Sequence, residues 1–144
     1  MTSHTEDEST IETTETSLTI RRTFDSPRER IFRAFTEPEE IEQWFGPGAM
    51  TAEVRVLELE TDGVYSVSML DEENRYEVEG RFVEVVENDR IVHTWEPGLV
   101  TIELLDVEDG TEVVLTHEGL PDGEIVDGHA AGWESALDNL AGVL

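Results

Sequence analysis

Hydrophobic positions near the C-terminal end of the chain recur at helical steps. Val126, Ala130, Trp133, Leu137, Leu140 and Leu144 fall three or four residues apart, which gathers them into one stripe along a helix starting near Asp122. Asp122 and Asp127 are the available caps, and Glu134 and Asp138 fall on the opposite, solvated side. Earlier segments alternate instead. From Ser17 to Phe24, Leu18, Ile20, Arg22 and Phe24 share one face and Thr19, Arg21 and Thr23 the other, the period of a strand. Further strand-like runs follow at Ala52–Glu60, Gly63–Leu70, Arg75–Glu87, Arg90–Glu96, Leu99–Val107 and Thr111–Glu118. The links between them, such as Asn88-Asp89, Pro97-Gly98 and Asp109-Gly110, are short hairpin sequences, so the strands form an antiparallel meander.

Strand parity selects an inner face of Tyr65, Val67 and Met69, then Tyr76, Val78, Gly80 and Phe82, then Ile91, His93 and Trp95. Glu77, Glu79 and Arg81 belong in water. Gly80 in mid-strand predicts a bend or bulge, as a sheet wrapped on a helix requires. Between the first strand and the meander lie two short helices. Ser26, Pro27 and Glu29 read as a capping box for the first, whose apolar edge is Ile31, Phe32 and Phe35. The second starts at Pro38, has Glu39 and Glu40 in its first turn, buries Ile41, Trp44 and Phe45, and stops at Gly46-Pro47. Residues 1–16 have nothing to bury and are expected to be a disordered acidic tail. The domain is therefore expected at 17–144, an α+β fold. In it a curved antiparallel sheet of about seven strands, with two short helices after its first strand, wraps a long C-terminal helix.

Charge narrows the habitat. The 144 residues carry 35 acidic side chains against 9 basic ones, all arginine, for a net charge of -26. Phosphate backbones and anionic lipid are repelled, which makes nucleic acid and membrane surfaces poor partners. Self-repulsion of this size is mostly screened where the Debye length falls to about 3 Å, near 1 M salt, so a halophilic protein is expected. Hydrophobic residues make up 38% of the chain and fall in periodic patterns, which separates it from acidic disordered proteins. No apolar run reaches the roughly 20 residues that span a bilayer, and the polar N-terminus is no signal peptide. A cytoplasmic protein is expected.

The order of elements, and the residues that fill them, resembles the SRPBCC or START-like helix-grip superfamily. The chain is most similar to the branch named after the activator of the Hsp90 ATPase. The matching pieces are Ile20-Arg21-Arg22-Thr23-Phe24-Asp25-Ser26-Pro27, Gln43-Trp44-Phe45-Gly46-Pro47, Gly80-Arg81-Phe82 before Arg90-Ile91-Val92-His93-Thr94-Trp95, Leu115-Thr116-His117-Glu118-Gly119-Leu120, and Gly132-Trp133-Glu134-Ser135-Ala136-Leu137. The resemblance spans about 17–144. It implies the helix-grip fold and a cavity between sheet and long helix for an apolar small molecule. It implies no single activity, since members bind lipids, sterols, hormones and polyketides, and some are cyclases or hydrolases. The name-giving branch also implies chaperone stimulation.

The inner face offers the wall of such a cavity in Tyr65, Met69, Tyr76, Phe82, Trp95 and Trp133, with Phe35, Trp44 and Phe45 at its mouth. The competing reading is that these rings pack on one another and leave no void. His93 and His129 are candidate polar groups of the cavity. With His117 they could converge on a metal or serve as acid–base groups, but no spacing ties any two together, so no metal is expected. Arg22 faces inward and needs a partner, either a ligand carboxylate or a structural acid. There is no Cys, no nucleophile elbow and no phosphate loop, so neither catalytic residue nor cofactor is expected. The expected function is binding of a hydrophobic or amphipathic small molecule by a monomer or homodimer. A chaperone-associated role and a cyclase or lyase activity are the alternatives.

Overall fold

Alternation of apolar and polar residues drives a continuous antiparallel sheet in the computed structural model, which describes residues 9–46, 49–95 and 98–144. Eight strands pair in the order β1-β2-β8-β7-β6-β5-β4-β3. They are β1 (Ser9–Thr13), β2 (Ser17–Phe24), β3 (Thr51–Leu57), β4 (Val64–Leu70), β5 (Arg75–Val86), β6 (Arg90–Thr94), β7 (Leu99–Val107) and β8 (Gly110–Glu118). From β3 to β8 each strand pairs with the next, a meander. The first long strand, β2, closes onto the last, with Leu18 opposite His117 and Phe24 opposite Thr111. Gly110 sits at φ +146, and a side chain there would run into the Phe24 carbonyl, so the β7–β8 turn requires glycine.

The helices are α1 (Arg28–Thr36), α2 (Pro38–Trp44) and α3 (Gly123–Val143). The Asp122 carboxylate caps α3 by accepting from the Ile125 amide at 2.9 Å. Its stripe of Val126, Ala130, Trp133, Ala136, Leu137 and Leu140 is buried, and it joins Leu18, Ile20, Leu104, Val113 and Leu115 of the sheet in one core. Burying such side chains contributes roughly 1.5–3 kcal/mol each before ordering costs.

Several expectations are corrected. Ser9–Thr13 is not tail: it pairs with β2, Ile11 opposite Ile20, and adds an eighth strand at the sheet edge. One half-buried isoleucine was too weak a pattern to reveal an edge strand whose ladder bonds are mostly backbone. The rest of the expected tail, residues 1–8, lies outside the described residues, as do Pro47 of the helix stop and Pro97 of its hairpin link. No capping box forms: Pro27 is the N-cap of α1 and makes no side-chain cap bond. The bulge expected at Gly80 falls beside Val83, where the β5–β6 register shifts, and a second lies beside Arg55. Gly80 serves close approach instead, since a Cβ there would sit 2.5 Å from the Thr94 carbonyl and 2.8 Å from the Tyr65 ring.

Candidate functional site

Two spaces lie between the sheet and α3, and they meet at three rings. The inner one is about 60 Å³, with Phe35, Trp44, Tyr65, Phe82 and His93 in its wall. That holds a few water molecules at most and falls well below the roughly 300 Å³ at which ligand pockets begin. The outer one is a groove of about 590 Å³ running along the N-terminal half of α3. Phe45, Trp95 and Trp133 border both. Their centroids are 6.0 Å apart for Phe45–Trp95, 6.0 Å for Phe45–Trp133 and 5.1 Å for Trp95–Trp133. The packed-ring expectation thus describes the inner half, and of these two spaces the outer one is the open one among the described residues.

Hydrogen bonds fix the inner wall. Tyr65 donates its hydroxyl to the Thr94 carbonyl at 2.5 Å and lies 3.0 Å from His93 Nδ1. Burial pushes the Tyr65 hydroxyl up and the His93 imidazole down to about 4, so both stay neutral near pH 7. His117 is fully buried on β8, with its Nδ1 accepting from Trp133 Nε1 at 3.2 Å. Desolvation first, then the nearby His129 and His93, hold it down at about 4. From the sequence, His117 is a candidate metal ligand or acid–base group with no partner assigned. Its position, strand parity with Leu115 and Val113, is the signal for a buried partner of the α3 tryptophan. Although His117 and His129 pack edge to face with centroids 4.9 Å apart, among the described residues no group of three or more His, Asp or Glu side chains is placed to hold a metal.

The two short helices do not form the expected mouth. Trp44 is 2% exposed and donates Nε1 to the Ala34 carbonyl at 2.8 Å, which ties α2 to α1. Phe35 packs edge-on against it at 4.9 Å. Only Phe45 reaches the groove. Tyr76, expected on an inner wall, is 49% exposed at the groove's lip, because β5 runs past the covered part of the sheet there. Met69 and His129 line the groove as well. Arg22 lines neither space: its Nη1 donates to Asp138 Oδ1 of α3 at 2.5 Å and its guanidinium lies over Phe24. Its inward orientation was right and its partner is structural.

Glycine shapes the groove. Gly128 and Gly132 lie on the α3 face that borders it, and a Cβ at either would meet nothing within 4 Å. The helix thus carries two residues that weaken it and leave room beside Trp133. Opposite α3, Asp71 enters from the β4–β5 turn, its Oδ1 accepting from the Glu73 and Asn74 amides at 2.8 and 2.6 Å. Those bonds hold its carboxyl below the usual range. Glu124, in the first turn of α3, completes the rim. Neither acid stands out in a sequence this acidic.

Residues 25–144 match the family described as "Activator of Hsp90 ATPase homolog 1-like protein". Among solved structures, one protein from Chromobacterium violaceum is 26% identical, over 89% of this chain and 96% of its own, with a TM-score of 0.83. Another from Rhodobacter sphaeroides is also 26% identical, over 94% and 97%, with a TM-score of 0.83. The AHSA1 protein of Silicibacter pomeroyi is 25% identical, over 88% and 95%, with a TM-score of 0.76. No functionally curated protein matches significantly, and among the described residues no helix is long and apolar enough to cross a membrane.

Proposed function

The chain belongs to the Activator of Hsp90 ATPase homolog 1-like family, a helix-grip domain of ligand-binding or co-chaperone type, and from that premise we propose that it binds an apolar or amphipathic small molecule in the groove beside α3. The observation that carries this reading is the groove itself, about 590 Å³ and floored by Phe45, Trp95 and Trp133. Its size falls in the range of small-molecule sites, and its floor is aromatic. Gly128 and Gly132 add support, because a helix under no demand for space would gain about 1 kcal/mol from alanine at each. The inner space serves as packing.

An enzyme is less well supported. The buried imidazoles of His93 and His117 are held near 4, far from the value that suits proton transfer at neutral pH. His93 is further committed to Tyr65 and Thr94. The chaperone role in the family's name rests on the name alone.

The test is titration with a neutral aromatic probe, N-phenyl-1-naphthylamine, at about 1 M KCl. Saturable quenching of tryptophan fluorescence, together with a rise in Tm, is the expected result. Probe fluorescence that grows linearly without saturation, and a fixed Tm, would reject binding.

A further inference from the structure

The groove's carboxylates favour one kind of charge. Asp71 and Glu124 stand at its rim, and no arginine is among the described residues that line it. Its floor is the Phe45–Trp95–Trp133 cluster, with Tyr76 at the lip. The face of an aromatic ring is the negative part of its quadrupole, so rings and carboxylates act on a bound charge with the same sign. His129 turns its Nδ1 to the Ile125 carbonyl of its own helix at 3.0 Å and donates there. The positive end of α3 is likewise engaged, since Asp122 already caps it.

We propose that the groove selects hydrophobic cations, an ammonium group on an apolar body, over neutral and anionic molecules of the same shape. The inference rests on the binding reading above and names its ligand class. A carboxylate ligand such as a fatty acid would meet two like charges at the rim, whereas a quaternary ammonium group meets two opposite charges and aromatic rings able to receive it. Much of the protein's surface is acidic, so long-range attraction alone would draw cations everywhere. At about 1 M KCl that attraction is screened beyond roughly 3 Å, and any preference that persists comes from direct contact in the groove.

The experiment is competition against N-phenyl-1-naphthylamine at about 1 M KCl with three compounds of matched shape. They are phenyltrimethylammonium, its neutral isostere tert-butylbenzene, and the anion 4-tert-butylbenzoate. The cation is expected to displace the probe at about tenfold lower concentration than the neutral isostere, with the benzoate weakest. Glu124→Gln, an exposed change in the first turn of α3, should reduce the cation's advantage over tert-butylbenzene several-fold. Equal displacement by cation and isostere, or tighter binding of the benzoate, would overturn the charge preference while leaving the binding reading intact. A cation advantage unchanged by Glu124→Gln and by Asp71→Asn would also overturn it. A probe that does not bind at all would remove the binding reading and this inference together.

Discussion

Gly132 offers a perturbation in which stability and binding should move in opposite directions. It lies in the interior of α3, and a Cβ there meets nothing within 4 Å. Alanine in place of an interior helical glycine is worth about 0.8–1 kcal/mol. With an unfolding entropy of roughly 2.1 cal/mol/K per residue, the whole chain has about 300 cal/mol/K, so Gly132→Ala should raise Tm by about 3 °C. Gly132→Leu adds a branched side chain over the same space. If it removes about 100 Å² of apolar contact from a bound probe, the loss at 25 cal/mol per Å² is about 2.5 kcal/mol, near seventyfold in affinity. Thermal melts and N-phenyl-1-naphthylamine titrations of wild type, Gly132→Ala and Gly132→Leu at about 1 M KCl read both quantities. A leucine variant that is stable and binds as tightly as wild type would place the ligand elsewhere. Loss of stability in the alanine variant would mean that α3 packs against something at this point and that the groove is not open there.

Three further outcomes are expected. The net charge of -26 predicts a Tm that climbs steeply from low to molar KCl as carboxylate repulsion is screened, and a flat profile would contradict that account. Trp133→Ala, at a side chain 5% exposed that donates to His117, should cost about 3–5 kcal/mol by denaturant melts, while a loss under about 1 kcal/mol would show that the helix–sheet contact does not centre on this ring. His93 and His117 are both depressed from 6.5 to about 4 in the folded protein, so the unfolded chain binds more protons between those values. Their contribution to stability is therefore complete above pH 6.5 and is lost as pH falls toward 4, at up to roughly 1.4 kcal/mol per pH unit for each imidazole. Equal stability at pH 7 and pH 5 in molar KCl would refute the burial of both.

Legibility in the sequence followed how strongly each feature is patterned. Strand β2 and the buried stripe of α3 were readable because burial on one face forces a strict period, and Leu18, Ile20, Arg22 and Phe24 obey it. Arg22 was readable as inward but not as to partner, because Asp138 lies 116 residues away, on the side of α3 assigned to solvent. Strand β1 escaped notice because an edge strand held by backbone bonds needs no apolar face. Of the residues that line the groove, Phe45, Met69, Tyr76, Trp95, His129 and Trp133 are among those expected from the sequence, whereas Asp71, Glu124 and the division into a filled inner space and an open groove are not legible there. Parity gives the face on which a ring sits and says nothing of how far the strand runs past its cover, which is why Tyr76 was placed inside. Gly128 and Gly132 were visible as helix-weakening residues, but only the empty space beside them gives them a purpose.

The claim that the groove beside α3 holds an apolar molecule is met most directly by crystallography of the protein grown at high salt and equilibrated with bromobenzene. Bromine's anomalous signal reports position without reference to the surrounding density. The expected result is one peak in the groove between Gly132 and the Trp95–Trp133 pair, absent from Gly132→Leu crystals treated in the same way. Bromine found only at scattered surface positions, or nowhere, would contradict the account.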